Sequence, residues 1–424
     1  MTVATDARGL DLSAFLRPGD QIVWGQACGE PTTLIEALIA QAEHIGGLGG
    51  FAATSFSGLL DAQAAKRVRL SSMGAIGALR TVAAAGGLNI VPCHVGQVAP
   101  LIAQGLIGCD VAFVQVSAPD SDGNHSYGLI NDFVQAAVAK ARVVIAEVNE
   151  RVPFTYGDAL LPAANIDCAV HVARMPVEVL PAQIGETDLA IAKIVAGYVG
   201  DGAVLQVGIG AVPDAILRLL HDRRDLGVHS GMIGDGLVDL VEAGAITNAR
   251  KSIDAGVSVT GALIGTRRLY EFANRNTRIG MRNSSYTHSD AVLSRLTQLV
   301  TINSALEVDL TGQVNAEQSG EQYLGGTGGQ VDYVRAGSRS SGGRSIIALP
   351  ATAKGGKVSR ITAALAGPVT TARSEVDVIV TEFGAAELKG QSLAERTRRL
   401  IAIAHPDFRE VLDRAAHIIQ RRGF

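Results

Sequence analysis

Short apolar runs of strand length recur along this 424-residue chain, several of them followed by a glycine turn and a helical pattern. Residues 22–25, 88–91, 111–116, 143–148 and 169–173 have the length and composition of strands. Gln26-Ala-Cys-Gly-Glu-Pro31 forms a turn after the first, and residues 32–42 read as a helix with Pro31 near its first turn. Strands alternating with helices predict an α/β fold with mainly parallel sheets.

The pattern restarts after residue 185. A helix is expected over 186–198, a strand over 203–207, a turn at Gly208-Ile-Gly210-Ala-Val-Pro213 and a helix over 214–220. This echoes residues 22–38, and residues 224–234 echo 87–96. The expected organisation is two similar α/β domains, 1–185 and 186–424. Further strands are expected near 298–302, 345–349 and 376–380, with an amphipathic helix near 393–402. Residues 267–289 and 322–343 read as long polar loops, which in compact domains are usually functional.

Bulk properties exclude several classes. The net charge is −4, so no basic field invites nucleic acid or an anionic membrane. No apolar stretch is long enough to cross a bilayer, and the first eight residues lack a signal-peptide core. Cys28, Cys93, Cys109 and Cys168 show neither a Cys-x-x-Cys pair nor a disulfide spacing. A reduced, cytoplasmic protein without a metal or a tightly bound cofactor is expected.

Chemistry concentrates in glycine turns. Gly208-Ile209-Gly210-Ala211-Val212 sits between a strand and a helix, where backbone N–H groups can meet a phosphate or an oxyanion. A dinucleotide fingerprint needs a third glycine where Pro213 stands, which argues against NAD. Gly325-Gly326-Thr327-Gly328-Gly329-Gln330 is glycine-dense enough to wrap a pantetheine arm or to face a thioester. Lys357 and Arg360 are candidate phosphate contacts. A third turn, His229-Ser230-Gly231-Met232-Ile-Gly-Asp235-Gly236, follows the apolar residues 226–228 and precedes a helix carrying Leu237, Val238, Leu240 and Val241. His229, His94 and His288 are loop candidates, and no Ser-His-Asp or Cys-His order emerges from their spacing. The residues alone point to an α/β enzyme that binds an anionic ligand through glycine loops.

These segments together resemble the acetyl-CoA hydrolase/transferase family, near the 4-hydroxybutyrate and butyryl-CoA:acetate CoA-transferases of the class I CoA-transferase fold. The resemblance includes Val116-Ser-Ala-Pro-Asp-Ser-Asp-Gly123, the motif from Thr301 to Gln313, the loop from Gly325 to Tyr333, Val369-Thr-Thr-Ala-Arg373, Val380-Thr-Glu-Phe-Gly384 and the motif from Ile403 to Arg409. It implies two similar α/β domains and an acyl-CoA site between them. It places CoA contacts at Gly208, Ile209, Gly210, Ala211 and Val212, and at Gly326, Gly328, Gly329 and Gln330, with CoA as substrate or product. The partners it implies are a small carboxylic acid or water, and a homodimer or higher homo-oligomer.

Such transferases use a glutamate that attacks the thioester and becomes a glutamyl-CoA intermediate. The family motif resembles His-Ser-Glu-Met followed by Asp-Gly, and here Gly231 stands at the glutamate's place. No glutamyl-CoA can form on glycine. The expected chemistry is therefore hydrolysis or another acyl-CoA reaction without that intermediate. Transfer through a substitute carboxylate and silent CoA binding are the alternatives. His229, Asp235 and Glu317 are the catalytic candidates around position 231.

Overall fold

Residues Val111–Val116 and Val143–Asn149 are buried along their whole length. That is the pattern of strands covered on both faces by helices. The computed structural model of the protein describes residues 3–6 and 8–421. Met1, Thr2 and Ala7, part of the stretch judged free of a signal peptide, lie outside the described residues. Two compact units emerge. One comprises Met1–Leu180, Gly231–Asp235 and Val257–Ser289, and the other Pro181–Ser230, Gly236–Gly256 and Asp290–Phe424. A single cut at residue 185 does not describe this division. It begins five residues earlier, and two later stretches belong with the first unit.

The first unit is built on eight parallel strands: β1 Val3–Asp6, β2 Gln21–Trp24, β3 Gly49–Phe51, β4 Arg69–Ser72, β5 Leu88–Ile90, β6 Val111–Val116, β7 Val143–Asn149 and β8 Cys168–Val172. Their spatial order is β1-β8-β7-β6-β2-β3-β4-β5. From β2 the chain steps outward through β3, β4 and β5, then returns to lay β6 on the other side of β2. The helix Thr32–Ile45 buries Leu34, Ile35, Leu38, Ala42 and Ile45, the one-sided spacing of an amphipathic helix. Those residues share a core with Ile22, Trp24, Phe113, Ile145 and Val170.

In the second unit β9 Val204–Val207, β10 Gly227–Ser230, β11 Leu299–Ser304, β12 Arg344–Ala348, β13 Val378–Thr381 and β14 Gly384–Glu387 lie in the order β10-β9-β11-β12-β13-β14. All pairings are parallel except the last. Here β9 has the place of β2, and the chain returns to β11 as it did to β6. The topology therefore aligns β10 with β3, rather than aligning residues 224–234 with 87–96 as the local pattern suggested.

The two polar tracts are not simple loops. The first holds the helix Arg267–Ala273, capped by Thr266, and the strand Ile279–Met281. The second holds the helix Gln330–Arg339, which buries Val331, Tyr333, Val334, Ala336 and Gly337 on one side. Its helical period is short and follows a run of glycines, so loop composition dominated the local signal. No described helix is long and apolar enough to cross a membrane.

Candidate functional site

In open parallel sheets, ligands bind beyond the carboxyl ends of strands where the strand order reverses. In the second unit that point lies between β9 and β11. Val207 ends β9 and leads into Gly208-Ile209-Gly210, and Gly210 precedes the helix Ala211–Arg218. Gly210 has φ +122°, which L side chains rarely adopt, so this turn needs glycine. A cleft of about 180 Å³ opens here, lined among others by Ile209, Gly210, Ala211, Ser304, Ala305 and Arg360. This is smaller than a typical pocket for a drug-sized ligand, so it suits one part of a larger molecule.

Its chemistry favours an anion. The helix N-terminus presents backbone N–H groups and the positive end of its dipole. The Arg360 guanidinium donates from Nη1 to Ala305 O at 3.3 Å, while its buried Nε has no hydrogen-bond partner. Burial pulls the Arg360 pKa down and neighbouring Glu382 pulls it up. A guanidinium remains cationic under such shifts. Asp188 also lines the cleft and supplies an opposing charge.

Gly326, Gly328, Gly329 and Gln330 lead into the helix Gln330–Arg339. Gln330 Nε2 donates to Ser304 O at 2.8 Å, tying this loop to the cleft wall. Gly328 has φ +55°, whereas Gly329 has φ −95°, so only the former requires a left-handed residue. Lys357 is exposed in the turn between Thr352–Ala353 and Val358–Ser359, and Arg360 rather than Lys357 lines the cleft.

In the first unit the reversal falls between β2 and β6, and the turn after β2 is tightly built. Ala27 has φ +53°, and a Cβ at Gly29 would stand 2.4 Å from Ile130 Cγ1. Glu30 accepts hydrogen bonds from Ser55 Oγ, Phe56 N and Ser57 N at 2.7, 2.8 and 2.8 Å, and burial raises its pKa. Burial also pushes the Cys28 thiol up to about 11, a protonated thiol at neutral pH.

Gly231 belongs to this unit through backbone pairing. Gly261 N donates to Gly231 O at 3.2 Å, Ile233 N to Ala262 O at 3.0 Å and Ile264 N to Ile233 O at 3.0 Å. Gly261 also separates Gly231 from an acid that the sequence did not single out. A Cβ at Gly261 would lie 3.2 Å from Gly231 O and 3.7 Å from Asp132 Cβ. Burial pushes the Asp132 carboxyl up to about 6, against the hydrogen bonds from Gln26 Nε2 and Phe133 N.

The other candidates are dispersed or committed. His229 is fully buried in β10 of the second unit. His94 precedes the helix Val95–Ala103 and His288 sits against Thr287 Oγ1 at 2.8 Å, both in the first unit. Both Asp235 oxygens serve Thr266, accepting from its N at 2.9 Å and its Oγ1 at 2.7 Å. Asp235 therefore fastens the start of the helix Arg267–Ala273. Asp235→Ala is expected to lower stability by about 1–2 kcal/mol, measured by denaturant unfolding. An unchanged midpoint would show that the fastening adds nothing. Both Glu317 oxygens are likewise engaged, by Thr370 Oγ1 at 2.8 Å and Tyr323 OH at 2.5 Å.

Comparison with known proteins agrees with this architecture. Residues 11–181 match the acetyl-CoA hydrolase/transferase N-terminal domain, and residues 265–416 match the C-terminal domain of the same family. The chain is 40% identical over 396 residues to 4-hydroxybutyrate coenzyme A transferase of Clostridium kluyveri, covering 92% of each protein. RipA from Yersinia pestis superposes with a TM-score of 0.91 at 35% identity, covering 99% of this chain and 97% of that one. A 4-hydroxybutyrate CoA-transferase from Porphyromonas gingivalis gives a TM-score of 0.83 at 34% identity, covering 99% and 98%. The two domain matches and the near full-length similarity make this chain a member of the acetyl-CoA hydrolase/transferase family.

Proposed function

We propose that this protein is an enzyme acting on acyl-CoA thioesters by a reaction that forms no glutamyl-CoA, with hydrolysis as the simplest case. The observation that carries the reading is Gly231, which has no carboxylate in the motif His229-Ser230-Gly231-Met232-Ile-Gly-Asp235-Gly236. CoA would use the Gly208–Val212 turn, with its anionic groups toward the helix N-terminus and Arg360, and the loop from Gly326 to Gln330. In hydrolysis the water oxygen bonds to the thioester carbon and the C–S bond breaks. One water proton passes to a base, and the departing thiolate takes up a proton. Within the first unit, Asp132 lies beside Gly261, which pairs with Gly231, and its carboxyl, pushed up to about 6 by burial, is the candidate for that base. The reading places the protein in the cytoplasm as a homo-oligomer, with acyl-CoA and water as reactants.

Transfer to a small carboxylic acid through a substitute carboxylate is the second reading, favoured by the transferase names of the relatives. Release of CoA thiol from an acyl-CoA separates the two. Hydrolysis predicts thiol release that added carboxylate does not divert into a new thioester. It also predicts a rate that rises through about pH 6 as Asp132 loses its proton, with that limb absent in Asp132→Asn. Ping-pong formation of a new acyl-CoA, with an adduct on another glutamate, would overturn the reading.

A further inference from the structure

The motif Val369-Thr-Thr-Ala-Arg373 has no role in the chemistry above, yet one of its threonines bonds Gln330 at the exit of the glycine loop and the other bonds Glu317, which holds the entry. Its backbone is fixed by Val314, which donates to Thr371 O at 3.0 Å and accepts from Thr370 N at 2.8 Å and Thr371 N at 3.1 Å. Thr370 Oγ1 donates to Glu317 Oε1 and accepts from Ala316 N, each at 2.8 Å. Glu317 in turn holds the entry to the loop. Its carbonyl accepts from Leu324 N at 2.8 Å and Gly325 N at 2.9 Å, and its Oε2 accepts from Tyr323 OH. At the exit, Thr371 Oγ1 donates to Gln330 Oε1 at 3.3 Å while Gln330 Nε2 reaches Ser304 O on the cleft wall. Thr370, Thr371, Glu317 and Gln330 are all buried.

We infer that Thr370 and Thr371 are positioning residues that clasp the loop from Leu324 to Gln330 at both ends and so hold its glycine backbone ready for CoA. The inference rests on the proposed use of this loop for CoA. The clasp itself is a property of the unliganded chain. A glycine-rich segment left to itself samples many conformations, and ordering it on binding weakens affinity. Two adjacent hydroxyls on one strip, anchored to Val314, remove that freedom before the ligand arrives. Glu317 then acts as the link between Thr370 and the loop, a role different from that of a nucleophile.

The test combines amide hydrogen exchange with CoA calorimetry on Thr370→Val and Thr371→Val, their serine counterparts, and Tyr323→Phe. Each valine is expected to speed exchange at amides 324–330 and to weaken CoA binding about tenfold, the scale of one buried hydrogen bond. KM for the acyl-CoA should rise with kcat little changed. Serine keeps the hydroxyl and should restore both readouts, and Tyr323→Phe should repeat the loosening from a half-buried position. If the wild-type protein binds no CoA, the functional reading fails, and the exchange data alone still judge the clasp. Folded valine variants with wild-type exchange over 324–330 would overturn the clasp. Faster exchange with unchanged CoA affinity would overturn its positioning role.

Discussion

Gly325→Ala is expected to unseat the glycine loop and cut CoA affinity by tenfold or more, because the added methyl meets backbone rather than a movable side chain. Its Cβ would stand 2.2 Å from Ala316 O and 3.3 Å from Ala316 C. Relief requires the loop to move away from residues 316–317, which breaks the hydrogen bonds from Leu324 N and Gly325 N to Glu317 O. Overpacking of this kind costs about 1–3 kcal/mol. Denaturant unfolding and CoA calorimetry read the two effects together. Gly200→Ala is the control, since a Cβ there meets nothing within 4 Å. Wild-type stability and affinity in Gly325→Ala would show that the loop is not seated as described.

Glu147→Gln is expected to stabilise the protein, and more strongly at higher pH. Glu147 lies in β7 with no exposed surface. Its Oε2 accepts from Thr33 N at 2.7 Å at the start of the helix Thr32–Ile45, and its Oε1 has no hydrogen-bond partner. Burial pushes its pKa up to about 7, against hydrogen bonds from Thr33 and the charge of Arg174. An unfolded glutamate titrates near 4.3, so the folded protein holds the proton more tightly. The stability linked to that proton is complete below the unfolded value and is lost as pH rises through about 7. Glutamine resembles the protonated acid at every pH. The expected gain is about 4 kcal/mol at pH 8 and about 1 kcal/mol at pH 5, read from denaturation at both. A gain independent of pH would contradict a titrating Glu147.

Legibility in the sequence followed the range of the interactions. Residues 111–116 and 143–148 announced themselves because strands buried on both faces are apolar throughout. Gly49–Phe51 and Arg69–Ser72 did not, since three or four residues with glycine or arginine carry no period. The helix Pro406–Arg421 also passed unnoticed among its many charges, although it buries Leu412 and Ala416. The Gly208 turn was visible because a strand, two glycines and a helix start are adjacent in the chain. The cleft walls were not, because Asp188, Ser304 and Arg360 meet that turn only after folding. Asp132 approaches Gly231 through a third segment at Gly261, and no spacing rule joins three such stretches. Asp235 and Glu317 were found by motif, but their hydrogen-bond partners lie 31 and 53 residues away, at Thr266 and Thr370.

The interleaving of the two units has a consequence for how the chain is made. Gly231–Asp235 and Val257–Ser289 complete the first unit, although most of it ends at Leu180. During synthesis the first eight strands emerge long before the stretch that supplies Gly231 and its pairing partners. Until residue 289 has left the ribosome, Leu129 O, Asn131 N and Tyr156 O lack the backbone partners that Leu263, Gly261 and Met281 give them. A gene cut after residue 180 therefore encodes an incomplete body rather than a free-standing half. Exchanging halves between relatives at that point would pair Gly261, Leu263 and Met281 of one protein with the turn residues 129–131 and 156 of another.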